Sequence, residues 1–223
     1  MADHLDFVIC RTCTTQYNTA DPATLNNRCE ICNDFRCMVL VPGQSWSSLR
    51  KLQDAGHKLK RAKLEDDRIT MIEIEPKFGL VGQRAMLLQT PHGNVLWDLV
   101  TYLDQEAIDW IKSIGGLKAI IISHPHYYTS MNEWRMAFDC PVYAAPEDQE
   151  WLKNTPADEK VTFLHQEVTE ILPGVTALKV GGHFPGSFVL HWENHIFHAD
   201  SFETTWTVNA GDLKPAIAPG ASV

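Results

Sequence analysis

The stretch ISHPHYYTS, residues 122–130, decides how the rest of the chain is read. Its two histidines, His124 and His126, follow LKAIIIS, an apolar run with the composition of a strand buried between layers. In extended backbone, residues i and i+2 point the same way, so both imidazoles can reach one ion. Two ligands do not complete a metal site, and two further candidates stand out. His183 lies in GGHFPGS, on a loop shaped by glycine and proline after the strand-like VTALKV. Asp200, in IFHADS, is a carboxylate emerging from an apolar strand, where burial without a partner is costly.

A second set of ligands lies near the N-terminus. Cys10 and Cys13 form one C-x-x-C and Cys29 and Cys32 another, with 15 residues between the pairs. This spacing suits a closed, tetrahedral four-thiolate zinc site. A disulfide framework would need an oxidising compartment, and a redox C-x-x-C would not need a second copy. About forty residues hold little core, so a structural zinc would supply most of the module's folding energy. Cys37 and Cys140 stand outside the pattern and read as small apolar residues.

Between and beyond these sites the pattern is mixed α/β. RITMIEI, RAMLLQT and NVLWDLV read as strands, the last two joined as a hairpin through TPHGNV. LDQEAIDWIKSIGG reads as a helix capped by Asp104 and stopped at Gly115 or Gly116, with Ile108 and Ile111 facing the core. SMNEWRMAFD reads as a second helix, with Ser130 and Glu133 at capping-box spacing. PVYAA is a short strand, PEDQEWLK a further helix, and EVTEIL, VTALKV, SFVLHW and HIFHAD are four short strands. Trp97, Trp134 and Trp192 read as core. His191 and His195 flank a hairpin turn as exposed residues, and His198 shares strand parity with Asp200.

This order of strand, H-x-H, helix, G-H-x-P-G-S and a strand ending in aspartate resembles the metallo-β-lactamase superfamily over about residues 69–202. More closely, the chain resembles members of that superfamily with an N-terminal C-x-x-C ribbon and SHPHYY in place of H-x-H-x-D-H. The resemblance implies an α-β-β-α sandwich, here shortened at its C-terminal end and preceded by a small zinc ribbon. It implies that the opening hairpin delivers Asp98 near the site, that His124, His126 and His183 form the first metal site, and that Asp200 is the bridging carboxylate. The second-site aspartate and histidine of the motif fall on Tyr128 and Thr129, and no histidine follows His198. All three second-site ligands are missing together, so one active-site metal is expected. Tyr127 or Tyr128 is then a candidate donor to a developing oxyanion, or fills the volume of the second ion. Zinc leads as the metal. Iron is the rival, since two histidines and a carboxylate form the facial triad of non-haem oxygenases.

The expected organisation is a ribbon over residues 1–42, a linker with a short helix over 43–68, the main domain over 69–205, and a structureless Pro/Gly/Ala tail over 206–223. With 223 residues, 44% hydrophobic and 21% charged, the composition is ordinary and globular. No signal peptide or membrane span is legible, which points to the cytoplasm, with the nucleus left open. A net charge of −9 argues against nucleic acid as partner, because phosphates demand a basic footprint. Residues 50–63 hold six Lys or Arg but read as a solvated helix-and-loop surface. The leading reading is a single-zinc hydrolase acting on a small ester- or thioester-like substrate. The alternatives are a scaffold that docks a protein partner through its ribbon, an iron-dependent sulfur dioxygenase, and an RNA-processing protein.

Overall fold

The computed structural model describes residues 3–33, 43–79, 82–153 and 161–201. The N-terminal module pairs β1 (Ile9–Cys10) with β2 (Trp46–Ser47). There follow α1 (Leu49–Asp54), β3 (Lys58–Lys63), β4 (Ile69–Glu75), β5 (Arg84–Thr90) and β6 (Gly93–Trp97). Next come α2 (Gln105–Ser113), β7 (Ala119–Ile121), α3 (Met131–Phe138), β8 (Val142–Ala144) and β9 (Val161–Phe163). The last elements are β10 (Val168–Leu172), β11 (Val175–Lys179), β12 (Phe188–Trp192) and β13 (His195–Phe197).

Strands β3 to β9 form a seven-stranded sheet in sequence order. Its β3–β6 half is an antiparallel meander, and its β6–β9 half is parallel. Parallel neighbours need crossovers, and α2 and α3 supply two of them on one face. Strands β10 to β13 form a second, antiparallel sheet. Ile69, Leu88, Val95, Trp97 and Ile121 from the large sheet meet Val175, Phe188, Leu190 and Trp192 from the small one. On the opposite face Ile72, Leu87, Leu96 and Ile120 pack under Leu52, Ile111, Met131 and Trp134 from the three helices. The alternation along the strands thus separates two cores, one on each face of the large sheet.

Local signals act where expected at several points. Thr90 pairs with Gly93 to close the β5–β6 hairpin, with Gly93 at φ +122°. The Asp104 carboxylate accepts from the Ala107 amide at 2.7 Å, and α2 stops at Gly115 and Gly116, both at positive φ. Ile111 is buried and Ile108 only half-buried.

Other features differ from the sequence expectation. Ser130 forms no capping box: its hydroxyl donates to the Thr101 carbonyl at 2.5 Å, and Glu133 binds His4 instead. PEDQEWLK forms a 3₁₀ stretch over Pro146–Trp151 rather than an α-helix. The basic segment is not only helix and loop, because Lys58–Lys63 is edge strand β3. Three of its six basic charges form ion pairs within the chain: Arg61 with Glu106 at 2.9 Å, Lys60 with Glu75 at 3.9 Å, and Arg50 with Asp6 at 2.7 Å. A charged edge also discourages pairing with another chain. Cys37 and the tail over 206–223 lie outside the described residues. No helix among those residues is long and apolar enough to cross a membrane.

Candidate metal centres

The four N-terminal cysteines converge, with Sγ atoms all within 4.8 Å of one another. Cys10 and Cys32 are 3.6 Å apart, and Cys13 and Cys29 are 3.5 Å apart. A disulfide needs about 2.05 Å, and no described cysteine forms one. Zinc–sulfur bonds of about 2.3 Å place tetrahedral ligands about 3.8 Å apart, close to the distances seen. The knuckle is closed by Thr14 N donating to Cys10 O at 2.9 Å, with Thr14 itself at φ +66°. Polar groups surround the sulfurs: Thr12 N and Gln44 Nε2 lie 3.3 and 3.1 Å from Cys10 Sγ, and Tyr17 Oη lies 3.2 Å from Cys29 Sγ.

The second centre lies at the carboxyl ends of β6 and β7, where the large sheet meets the small one. The Phe188 amide donates to the Ser123 carbonyl at 2.8 Å and fixes the two sheets together there. His124 follows in extended backbone, and Pro125–Tyr127 forms a 3₁₀ turn. His126 therefore reaches its neighbour through a turn, not through extended backbone. His183 comes from the β11–β12 loop, closed by Val180 and Gly181 amides donating to Ser187 O at 2.9 and 3.0 Å. Gly181 and Gly182 sit at φ +65° and +91°, where only glycine turns the chain without strain. Asp200 follows β13.

These four side chains offer ligand atoms within 4.8 Å of one another. Asp200 Oδ2 lies 3.3 Å from His124 Nε2, 3.6 Å from His126 Nδ1 and 3.7 Å from His183 Nε2. His183 Nε2 and His126 Nδ1 are 3.3 Å apart. Metal–nitrogen bonds of about 2.0–2.1 Å give tetrahedral edges of about 3.3–3.4 Å. The donor set therefore fits one ion of zinc's dimensions. Burial alone would raise the Asp200 pKa, but hydrogen bonds from His124 and His126 and the charges of the rings hold it well below the carboxylate range.

Behind these four side chains, His124 Nδ1 lies 2.9 Å from Ser123 Oγ, and the Ser123 amide donates to Asp98 Oδ1 at 2.7 Å. Burial raises the Asp98 pKa to about 8, with Ser123 hydrogen bonds opposing and the Asp200 charge assisting. Phe184 floors the site: its ring stacks on His124 at 5.7 Å and meets His126 and His183 edge-on at 5.1 and 5.0 Å. Ser123 and Phe184 were not singled out from sequence, since neither a serine beside a histidine nor a phenylalanine in a loop carries a motif. The Tyr127 ring meets His124 at 5.4 Å, whereas Tyr128 is 3% exposed in the core beneath the helices. Thr129 is buried and accepts from the Gln16 amide of the ribbon at 3.3 Å. His198 is exposed, 3.0 Å from the Ala199 carbonyl, and stands outside the cluster. His191 is exposed, and His195 stacks on Trp192 and Phe197.

No family model matches the chain. The uncharacterised protein YmaE of Bacillus subtilis (strain 168) is 40% identical over 189 residues, spanning 84% of this chain and 67% of YmaE. Among solved structures, a metallo-β-lactamase from Hirschia baltica matches with TM-score 0.52 at 18% identity, over 71% of this chain and 78% of that one. The metallo-β-lactamase FIM-1 from Pseudomonas aeruginosa, solved in its mono-zinc form, matches with TM-score 0.52 at 16% identity, over 71% and 76% of the two chains. At such identities the likeness to solved structures establishes the fold, while the kinship to YmaE is one of sequence. This chain has the metallo-β-lactamase fold and belongs to the family of Bacillus subtilis YmaE.

Proposed function

We propose that the chain is a metal-dependent hydrolase that uses one ion, held by His124, His126, His183 and Asp200, to activate water against an ester- or thioester-like small molecule. One observation carries this reading: four donors from separated parts of the sequence converge at the edge lengths of a single coordination sphere. When bound there, zinc supplies Lewis acidity and brings the pKa of water from 15.7 to about 7. Both solved structures described above are of proteins named metallo-β-lactamases, and one of them was solved in a mono-zinc form. Positions 128 and 129 carry a buried tyrosine and a buried threonine, which favours one ion over two.

The chain's own groups complete the arrangement. Asp200 remains ionised and orients the rings. Burial, reinforced by the Asp98 and Asp200 charges, pushes the Tyr127 phenol well above its usual range, so its O–H stays available as a donor to a developing oxyanion. Tyr128 serves packing. In the ribbon, Cys10, Cys13, Cys29 and Cys32 hold a structural zinc.

Elemental analysis of protein purified without added metal tests this. Two ions per chain are expected, one in each cluster. In His126→Ala we expect one ion and loss of turnover on a panel of aryl esters and thioesters. Metal confined to the ribbon in the native protein would end the hydrolase reading. Iron in the histidine centre, with oxygen uptake on a persulfide, would move it to sulfur oxidation.

A further inference from the structure

The ribbon and the histidine centre are joined by two bridges that cross buried ground. The first is polar. Thr101 Oγ1 lies 2.8 Å from the Thr14 carbonyl in the cysteine knuckle and 3.2 Å from Gln83 Oε1; its single proton serves the nearer acceptor. The Thr101 amide donates to Gln83 Oε1 at 3.0 Å, and Gln83 Nε2 donates to the His126 carbonyl at 3.1 Å. Thr14 and Thr101 are 2% and 0% exposed, so water cannot replace these partners. Gly79 belongs to the same contact, since a Cβ there would stand 2.3 Å from Thr14 Cγ2. The second bridge is apolar. Trp151 packs on the ribbon's small cluster of Val8, Tyr17, Ile31 and the four cysteines, and its ring meets Phe184 at 5.8 Å. Phe184 in turn lies against all three ligand rings.

We propose that Gln83, Thr101 and Trp151 are positioning residues that couple the two metal centres, so that filling the four-cysteine site tightens metal binding by the histidines. The inference rests on the histidine cluster being a metal site, though not on its hydrolytic activity. The ribbon's own core is too small to hold its knuckle without an ion. Loss of that ion frees the Thr14 carbonyl and the platform beneath Trp151. The buried Thr101 hydroxyl then loses its nearer acceptor and turns to Gln83 Oε1, 3.2 Å away, which disturbs the half-buried amide that holds the His126 carbonyl. The His126 turn and the Phe184 floor lose the contacts that orient them. Partners behind a ligand shell are worth about 10–100-fold in metal affinity, and linkage makes the effect reciprocal between the sites.

Cobalt titration of the full reduced chain reads the two sites apart. The thiolate site gives intense sulfur-to-metal charge transfer, and the histidine site gives only weak ligand-field bands. In the wild type, histidine-site affinity is expected to rise once the thiolate band has saturated. Because a cysteine variant can fail to fold, the decisive proteins are Thr101→Val and Gln83→Leu. Both should keep the thiolate spectrum and bind cobalt at the histidines about 10–100-fold more weakly. Thr101→Ser, which keeps hydroxyl and amide, should restore wild-type affinity. Unchanged histidine-site affinity in both variants, or no rescue by serine, overturns the coupling alone. A wild-type histidine cluster that takes up no cobalt overturns the metal reading with it.

Discussion

The Ser123 hydroxyl lies within hydrogen-bond distance of its sequence neighbour His124, on the ring nitrogen turned away from Asp200. His124 Nδ1 lies 2.9 Å from Ser123 Oγ, which leaves Nε2 facing Asp200 Oδ2 at 3.3 Å. A ring that offers Nε2 to a cation carries its proton on Nδ1, and Ser123 Oγ accepts it. Ser123 also hydrogen-bonds Asp98, so the ligand is backed by a buried serine and a buried carboxyl group.

Replacing Ser123 by alanine removes the acceptor and frees the ring to adopt either tautomer. Metal affinity at the histidine centre should fall about 10–100-fold. The Ser123 amide and carbonyl keep their partners in Asp98 and Phe188, but Asp98 and the His124 ring each lose the buried hydroxyl, so the metal-free protein should also lose about 1–3 kcal/mol of stability. Competition with a chelator of known affinity measures the first effect and circular dichroism the second. Unaltered affinity would show that Ser123 does not set the tautomer.

Gly186 is a packing constraint. A Cβ there would fall 2.2 Å from Ala145 Cβ and 2.8 Å from Asp148 Oδ2, while the Gly186 amide lies 3.3 Å from Asp148 Oδ1. Ala145 directly follows β8 and cannot retreat without moving the strand end. Gly186→Ala should therefore destabilise the fold by about 1–3 kcal/mol. The loop must shift to relieve the clash and carries His183 with it, so metal content should also fall. A wild-type denaturation midpoint would contradict the close approach.

The parts of this protein legible from sequence are those where one local rule dominates. Paired cysteines, histidines at the exit of an apolar strand, a helix bounded by Asp104 and two glycines, and the Thr90–Gly93 turn each announce themselves within a few residues. Strand β3 was hidden because KLKRAK, four basic residues around Leu59 and Ala62, has no sustained apolar periodicity, and β9 because VTF carries too little pattern. Tyr127 and Tyr128 could not be told apart, because the 3₁₀ turn begun by Pro125 breaks the alternation of extended chain. The docking of the ribbon was invisible for a different reason. It relies on Thr14, Gln16, Gln83, Thr101 and Thr129, ordinary polar residues whose partners lie far away in sequence.

Asp98 predicts a pH dependence. Its pKa is raised from 3.8 to about 8, chiefly by burial. Below the lower value both folded and unfolded chains are protonated there, and above the higher value both are ionised. Between them the folded state binds the extra proton, so this group's contribution to stability is lost as pH rises from about 4 to 8. Asparagine tolerates the positive φ of +59° at this position and still accepts from the Ser123 amide. Asp98→Asn should flatten the slope. The comparison belongs in a His126→Ala/His183→Ala background, where no cation at the site pulls the carboxyl down. Parallel denaturation midpoints for the two proteins across this range would refute the assignment.

Zinc itself should stabilise the folded chain in two stages, and His183 separates them. A ligand that binds only the native state adds RT ln(1 + [L]/Kd), about 2.7 kcal/mol at one hundred times Kd. The four-thiolate cluster should fill first, after which the wild type should keep gaining melting temperature as the histidine centre fills. In His183→Ala the second gain should disappear, because one of the four donors is gone. The loop that carries it should survive, since its closure runs through the Val180 and Gly181 amides and Ser187 rather than through the imidazole. Melting curves over a zinc series, with free metal buffered, read both stages. If the two proteins climb in parallel throughout, the later stabilisation does not arise from His183, and the assignment of that ring as a ligand fails.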